Sequence, residues 1–116
     1  MFGAAALVPI AKMSSLKVIQ SPNAGVDDVI ALRPAGVTLC NAAGVHDAST
    51  AELAVGLAIA ARRGFSQFAK DQSAGKWSHT TYASLTDSKV AIVGHGNIGK
   101  SIDGMLAGFE VEITSF

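Results

Sequence analysis

Residues 90–99 read Val90-Ala91-Ile92-Val93-Gly94-His95-Gly96-Asn97-Ile98-Gly99, an apolar, β-branched run that leads straight into three glycines. Such a run predicts a buried strand, and glycines at its end predict a tight turn whose backbone other groups can approach closely. Beyond them, apolar side chains at 98, 102, 105 and 106 have the spacing of one helix face. Residues 111–116, Val-Glu-Ile-Thr-Ser-Phe, return to strand character and close a βαβ unit. Each glycine then has its own task. Gly94 turns the chain off the strand, Gly96 leaves the backbone open to a ligand, and Gly99 lets the helix pack on the sheet. The helix N-terminus adds free amides and partial positive charge, which suit a phosphate pair without a lysine. We therefore expect Gly94, His95, Gly96, Asn97, Ile98 and Gly99 to hold a dinucleotide pyrophosphate. A glycine triplet alone also fits a plain strand–turn–helix; the strand before, the helix after and the second strand favour the dinucleotide. The acidic residue that reads the ribose hydroxyls in such folds comes about 20 positions after the glycines. That position falls beyond Phe116, so these residues leave the choice between NAD and NADP open.

Nine basic and nine acidic residues cancel, with no block of either sign, which argues against nucleic acid or an anionic membrane surface as a partner. Of the residues, 49% are hydrophobic and the mean hydropathy is +0.37, so the chain is expected to fold. The single cysteine, Cys40, excludes an internal disulfide and offers no metal-ligand spacing; it reads as a small strand residue in a reducing cytoplasm. Residues 2–10 lack a basic start and contain Pro9, which argues against a secretory leader. The run 53–61 is far short of the ~20 residues that span a bilayer. Being apolar on every side, it reads as a helix buried between two surfaces.

The expected order of elements is a helix over 3–13, a strand at 16–20, a turn at 21–25, a short helix over 26–32 and a strand at 37–41. A loop follows to Ser49, with Ser49 or Thr50 capping a helix from about 51 to about 72 that Gly64 loosens midway. A polar linker over 78–87 then leads into the glycine-containing unit. Alternating strands and helices predict parallel sheets with helical cover. The strands fall in two pairs, and two strands alone leave faces and edges unpartnered, so a piece of a larger α/β chain is expected.

Several separated motifs, in order, carry a family resemblance: Leu16-Lys17-Val18-Ile19-Gln20, Asn23-Ala24-Gly25-Val26-Asp27, Asn41-Ala42-Ala43-Gly44-Val45, Ala51-Glu52-Leu53-Ala54 with Arg62-Arg63, Gly75-Lys76-Trp77, and the 94–99 turn followed by Leu106 and Phe109. From about residue 14 onward the chain resembles the D-isomer-specific 2-hydroxyacid dehydrogenases. The resemblance implies an incomplete Rossmann-like doubly wound parallel sheet together with part of a second, flavodoxin-like α/β domain. Residues 1–48 would close the substrate-binding domain and residues 49–116 would open the NAD(P)-binding one, with the helix over 51–72 running between domains and into a homodimer interface. It also implies that the amides of Ala24 and Gly25 hold the carboxylate of a small 2-hydroxy or 2-keto acid. Hydride passes between nicotinamide and C2 in this family, assisted by an arginine and by a histidine paired with an acidic residue. All three lie downstream of the glycine turn, so no residue here is given a catalytic role and these 116 residues alone are expected to be inactive.

The three histidines form no metal motif. His95 reads as a tolerated spacer that touches the cofactor's edge, His46 as a surface loop residue with substrate contact as the alternative, and His79 as solvated. Arg62 and Arg63 are expected to cap the long helix or pair across a subunit contact. Glu52 is expected in that helix's first turn, where it favours the dipole. Glu110 and Glu112 depart from the family pattern, and Glu112 is expected to point outward. Two other readings stand beside the enzyme: a dinucleotide-sensing co-repressor, and another Rossmann protein such as a homocysteine-nucleoside hydrolase, against which the Asn23-Ala24-Gly25 turn argues.

Overall fold

The structure, a computed structural model, describes residues 9–10 and 12–116. Most of the helix expected over 3–13 lies outside them; Pro9 and Ile10 sit in a 3₁₀ turn. The chain divides into two compact units, residues 1–46 and 47–116.

The first unit contains strand β1 (Val18–Gln20), the single-turn helix α1 (Asp27–Ile30) and strand β2 (Thr38–Cys40). β1 and β2 are parallel, pairing Val18 with Thr38, Ile19 with Leu39 and Gln20 with Cys40. The ladder continues at both ends, where Thr38 N–H donates to the Lys17 carbonyl and Ser21 N–H to the Cys40 carbonyl. Helix α1 is shorter than the expected 26–32: Leu32 N–H bonds the Val29 carbonyl in a turn, and Pro34, which lacks an amide hydrogen, follows. Among the described residues of this unit, Val29, Val37 and Ser21 are buried.

The second unit holds helices α2 (Asp47–Arg62) and α3 (Phe65–Ser73), strand β3 (Lys89–Ile92), helix α4 (Asn97–Leu106) and strand β4 (Glu112–Ser115). β3 and β4 are parallel, with Lys89 opposite Glu112 and Ile92 opposite Ser115. Helix α4 makes the crossover and packs against α2, and Ala51, Ile92 and Leu106 are buried. As expected, Glu112 points outward; its carboxylate lies 3.7 Å from the Lys89 ammonium across the ladder, where both are exposed.

Three expectations for the long helix need correction. It begins at Asp47, so Ser49 and Thr50 lie inside it and Glu52 stands beyond the first turn, which Asp47 supplies with a carboxylate instead. It is not buried on every side: Ala51 is fully buried, while Leu53 and Leu57, four residues apart, are exposed. Finally, Gly64 breaks the helix rather than loosening it. Its φ of +66° is left-handed, and it separates the end of α2 from the start of α3. The Tyr82 ring lies where a side chain at 64 would stand, and it meets Phe68 edge-on with centroids 5.3 Å apart. In place of the expected helix cap or subunit pairing, Arg62 Nε donates to the Ser84 carbonyl at 3.0 Å, which ties the returning strap to α2.

Candidate functional site

Residues 94–96 belong to the loop that leaves β3 and residues 97–99 to the first turn of α4, at the carboxyl end of a parallel strand, where α/β sheets place their ligands. Gly94 takes φ +91°, a value that L side chains rarely adopt, and its N–H still extends the ladder by donating to the Phe116 carbonyl. Gly99 is buried in the first turn of α4; a Cβ there would strike the Gly94 carbonyl oxygen and come within 3.4 Å of Ile92 Cγ2. Around a Cβ built on Gly96 there is only open space. One glycine thus turns, one admits a close backbone approach and one permits the return contact.

The amides at this end of α4 are open to an anion. No side chain caps the helix, whose N-cap is the extended Gly96. Lys100 N–H donates back to the Gly96 carbonyl, leaving the preceding helix amides without an i−4 partner. Uncapped amides beneath an open glycine give a cradle that a side chain would otherwise fill, and a diphosphate fits it by charge and by the direction of the donors.

His95 is more than a spacer. Its Nε2 lies 3.0 Å from Asp103 Oδ2, with about a third of each side chain exposed. The bond straps the loop to the second turn of α4. Asp103 had no signature in sequence, because a partner eight residues away across a loop–helix junction belongs to no regular spacing.

Ala24 and Gly25 belong to the other unit, on the turn after β1. Asn41, at the end of β2, donates from Nδ2 to the Ala24 carbonyl at 2.8 Å. Ala42 N–H donates to the Asn23 carbonyl at 3.1 Å, and Asn23 N–H to Ser21 Oγ at 3.1 Å. Asn41 was visible in sequence only as part of a motif; the contact that gives it a task joins residues 17 apart. Cys40 is half-buried on its strand and free. His79 is exposed in the strap. Among the described residues no group of three His, Cys, Asp or Glu is arranged for a metal ion, and no helix is long and apolar enough to cross a membrane.

Comparison with known proteins matches residues 55–116 to the D-isomer specific 2-hydroxyacid dehydrogenase, NAD binding domain. The chain is 31% identical over 111 residues to the D-3-phosphoglycerate dehydrogenase of Methanocaldococcus jannaschii, covering 92% of this chain and 21% of that protein. It is 28% identical to the hydroxypyruvate reductase of Thermotoga maritima, covering 88% of this chain and 35% of the relative. Among solved structures, a D-isomer specific 2-hydroxyacid dehydrogenase family protein from Aeromonas salmonicida superposes with a TM-score of 0.85 at 25% identity, over 97% of this chain and 37% of that one. The chain therefore spans between a fifth and two fifths of the length of these relatives. A βαβ unit with its three glycines in these roles, matched by the family over more than half the chain, is a Rossmann-type element, and the chain belongs to the D-isomer specific 2-hydroxyacid dehydrogenases.

Proposed function

We propose that this chain provides the pyrophosphate cradle of an NAD-dependent oxidoreductase that transfers hydride between nicotinamide and C2 of a D-2-hydroxy or 2-keto acid, with NADP as the alternative dinucleotide. The observation that carries this reading is the backbone contact of Gly99 with Gly94 beneath an open Gly96. When bound, the dinucleotide supplies the hydride chemistry. The residues of this chain hold it: Gly94, His95, Gly96, Asn97, Ile98 and Gly99 line the cradle, the residues after Gly94 present backbone donors, and Gly96 keeps side-chain volume away from them.

In this proposal residues 1–48 belong to the substrate-binding domain, where Ala24 and Gly25 hold the acid's carboxylate, and residues 49–116 to the nucleotide-binding domain. The arginine, carboxylate and histidine of the family's chemistry match no position here, so these residues bind and orient without moving the proton. The exposed Leu53 and Leu57 on α2, with the largely exposed Trp77, favour a second copy of the chain as a partner. A free cysteine and the metabolic character of the relatives favour a reducing cytoplasm.

Calorimetric titration with NAD tests the cradle. Wild type should bind, and Gly96→Val, which places a branched side chain in open space, should keep the fold and lose binding. Equal affinity in the two proteins would refute the assignment. Oxidation of NADH with pyruvate, glyoxylate or hydroxypyruvate should be undetectable with the 116 residues alone; turnover would show that the proton-handling groups are among them.

A further inference from the structure

We infer that Asn41 is a positioning residue that aims two consecutive backbone N–H groups, those of Ala24 and Gly25, outward as a seat for a carboxylate. The inference rests on the reading of the β1–α1 turn proposed above and supplies its physical cause. In a trans peptide the carbonyl of one residue and the N–H of the next lie in one plane and point in opposite directions. None of the described peptide bonds is cis. The Asn23 carbonyl accepts the Ala42 N–H and the Ala24 carbonyl accepts Asn41 Nδ2, so both carbonyls face the end of β2. The N–H groups of Ala24 and Gly25 must then face away from it, side by side, and neither finds a partner among the described residues. Two adjacent amides turned the same way match the two oxygens of one carboxylate.

Asn41 is itself oriented. Ala43 N–H donates to its Oδ1 at 3.3 Å, which leaves Nδ2 to point at Ala24. The inner side of the turn is anchored by Ser21, which is buried and accepts the Asn23 N–H. One group opposes the seat. Asp27 Oδ2 lies 3.9 Å from where a Cβ of Gly25 would stand, so its negative charge faces the same turn and weakens any anion bound there.

The test is an amide-resolved NMR titration of the whole 116-residue chain with pyruvate, and with acetate as the bare carboxylate. In wild type the Ala24 and Gly25 amides should shift saturably. Asn41→Asp keeps the acceptor for Ala43 N–H, removes the donor to Ala24 and sets a negative charge against that carbonyl. It should raise the concentration for half-saturation about tenfold while the melting temperature and the 94–99 amides stay nearly unchanged. Asp27→Asn should lower that concentration. If Asn41→Asp fails to fold, Asn41→Ser, whose hydroxyl is too short to reach Ala24, carries the same expectation. A wild type that shifts at 24 and 25 with variants that match it overturns the role of Asn41 alone. Absence of any shift at these amides in wild type overturns both that role and the carboxylate seat.

Discussion

Gly99 sits so close to Gly94 that a single added methyl would meet the Gly94 carbonyl oxygen, which makes the end of β3 and the first turn of α4 a backbone-to-backbone contact. Gly99→Ala must therefore push the helix off the strand end. We expect a loss of about 1–3 kcal/mol of stability, read by denaturant unfolding, together with loss of dinucleotide binding. Gly96→Ala, with open space around it, should cost stability only marginally. Equal destabilisation by the two substitutions would contradict this division of labour.

Gly64 offers a second glycine test, unconnected with ligand binding. It combines a left-handed backbone with the Tyr82 ring at the place of its missing side chain, so Gly64→Ala is strained twice. A destabilisation of about 2 kcal/mol is expected, and Tyr82→Ala in the same molecule should recover only the steric part. Thermal unfolding of the single and double variants measures it; full recovery would mean that backbone conformation is not the constraint.

The bond between His95 and Asp103 predicts coupling. Because both side chains are about one-third exposed, a double-mutant cycle with His95→Ala and Asp103→Ala should give no more than about 0.5–1 kcal/mol. Its larger effect should fall on mobility. Hydrogen exchange across residues 94–99 should quicken in either single variant and no further in the double. Additive quickening would show that the two residues steady the loop separately.

The roles of the glycines in 94–99 were legible in sequence because each follows from local sterics next to a strand and a helix. So were both parallel strand pairs, since their β-branched runs are bounded by turn residues. The start of α2 was not. Asp47-Ala48-Ser49-Thr50 reads as loop and cap, yet these residues form the first turn, where Asp47 favours the dipole. The exposure of Leu53 and Leu57 was also hidden, because a run apolar on every side does not say which face a neighbour covers. Asp103 and Asn41 escaped for a third reason: their contacts, with His95 and Ala24, join residues through the folded chain, with no spacing to announce them.

The exposed apolar side chains on α2 predict association. Sedimentation of wild type should show a concentration-dependent dimer, and the charged pair Leu53→Asp with Leu57→Asp should shift it to monomer without unfolding it. A wild type that stays monomeric at every concentration would contradict the homodimer proposal.

The cradle itself is tested most directly by a crystal of the chain soaked in NAD. Density for the pyrophosphate is expected against the open face of Gly96, with its oxygens within hydrogen-bonding distance of backbone N–H groups between Gly94 and Gly99. A well-ordered loop with the dinucleotide bound elsewhere, or with the loop closed over by its own side chains, would contradict it.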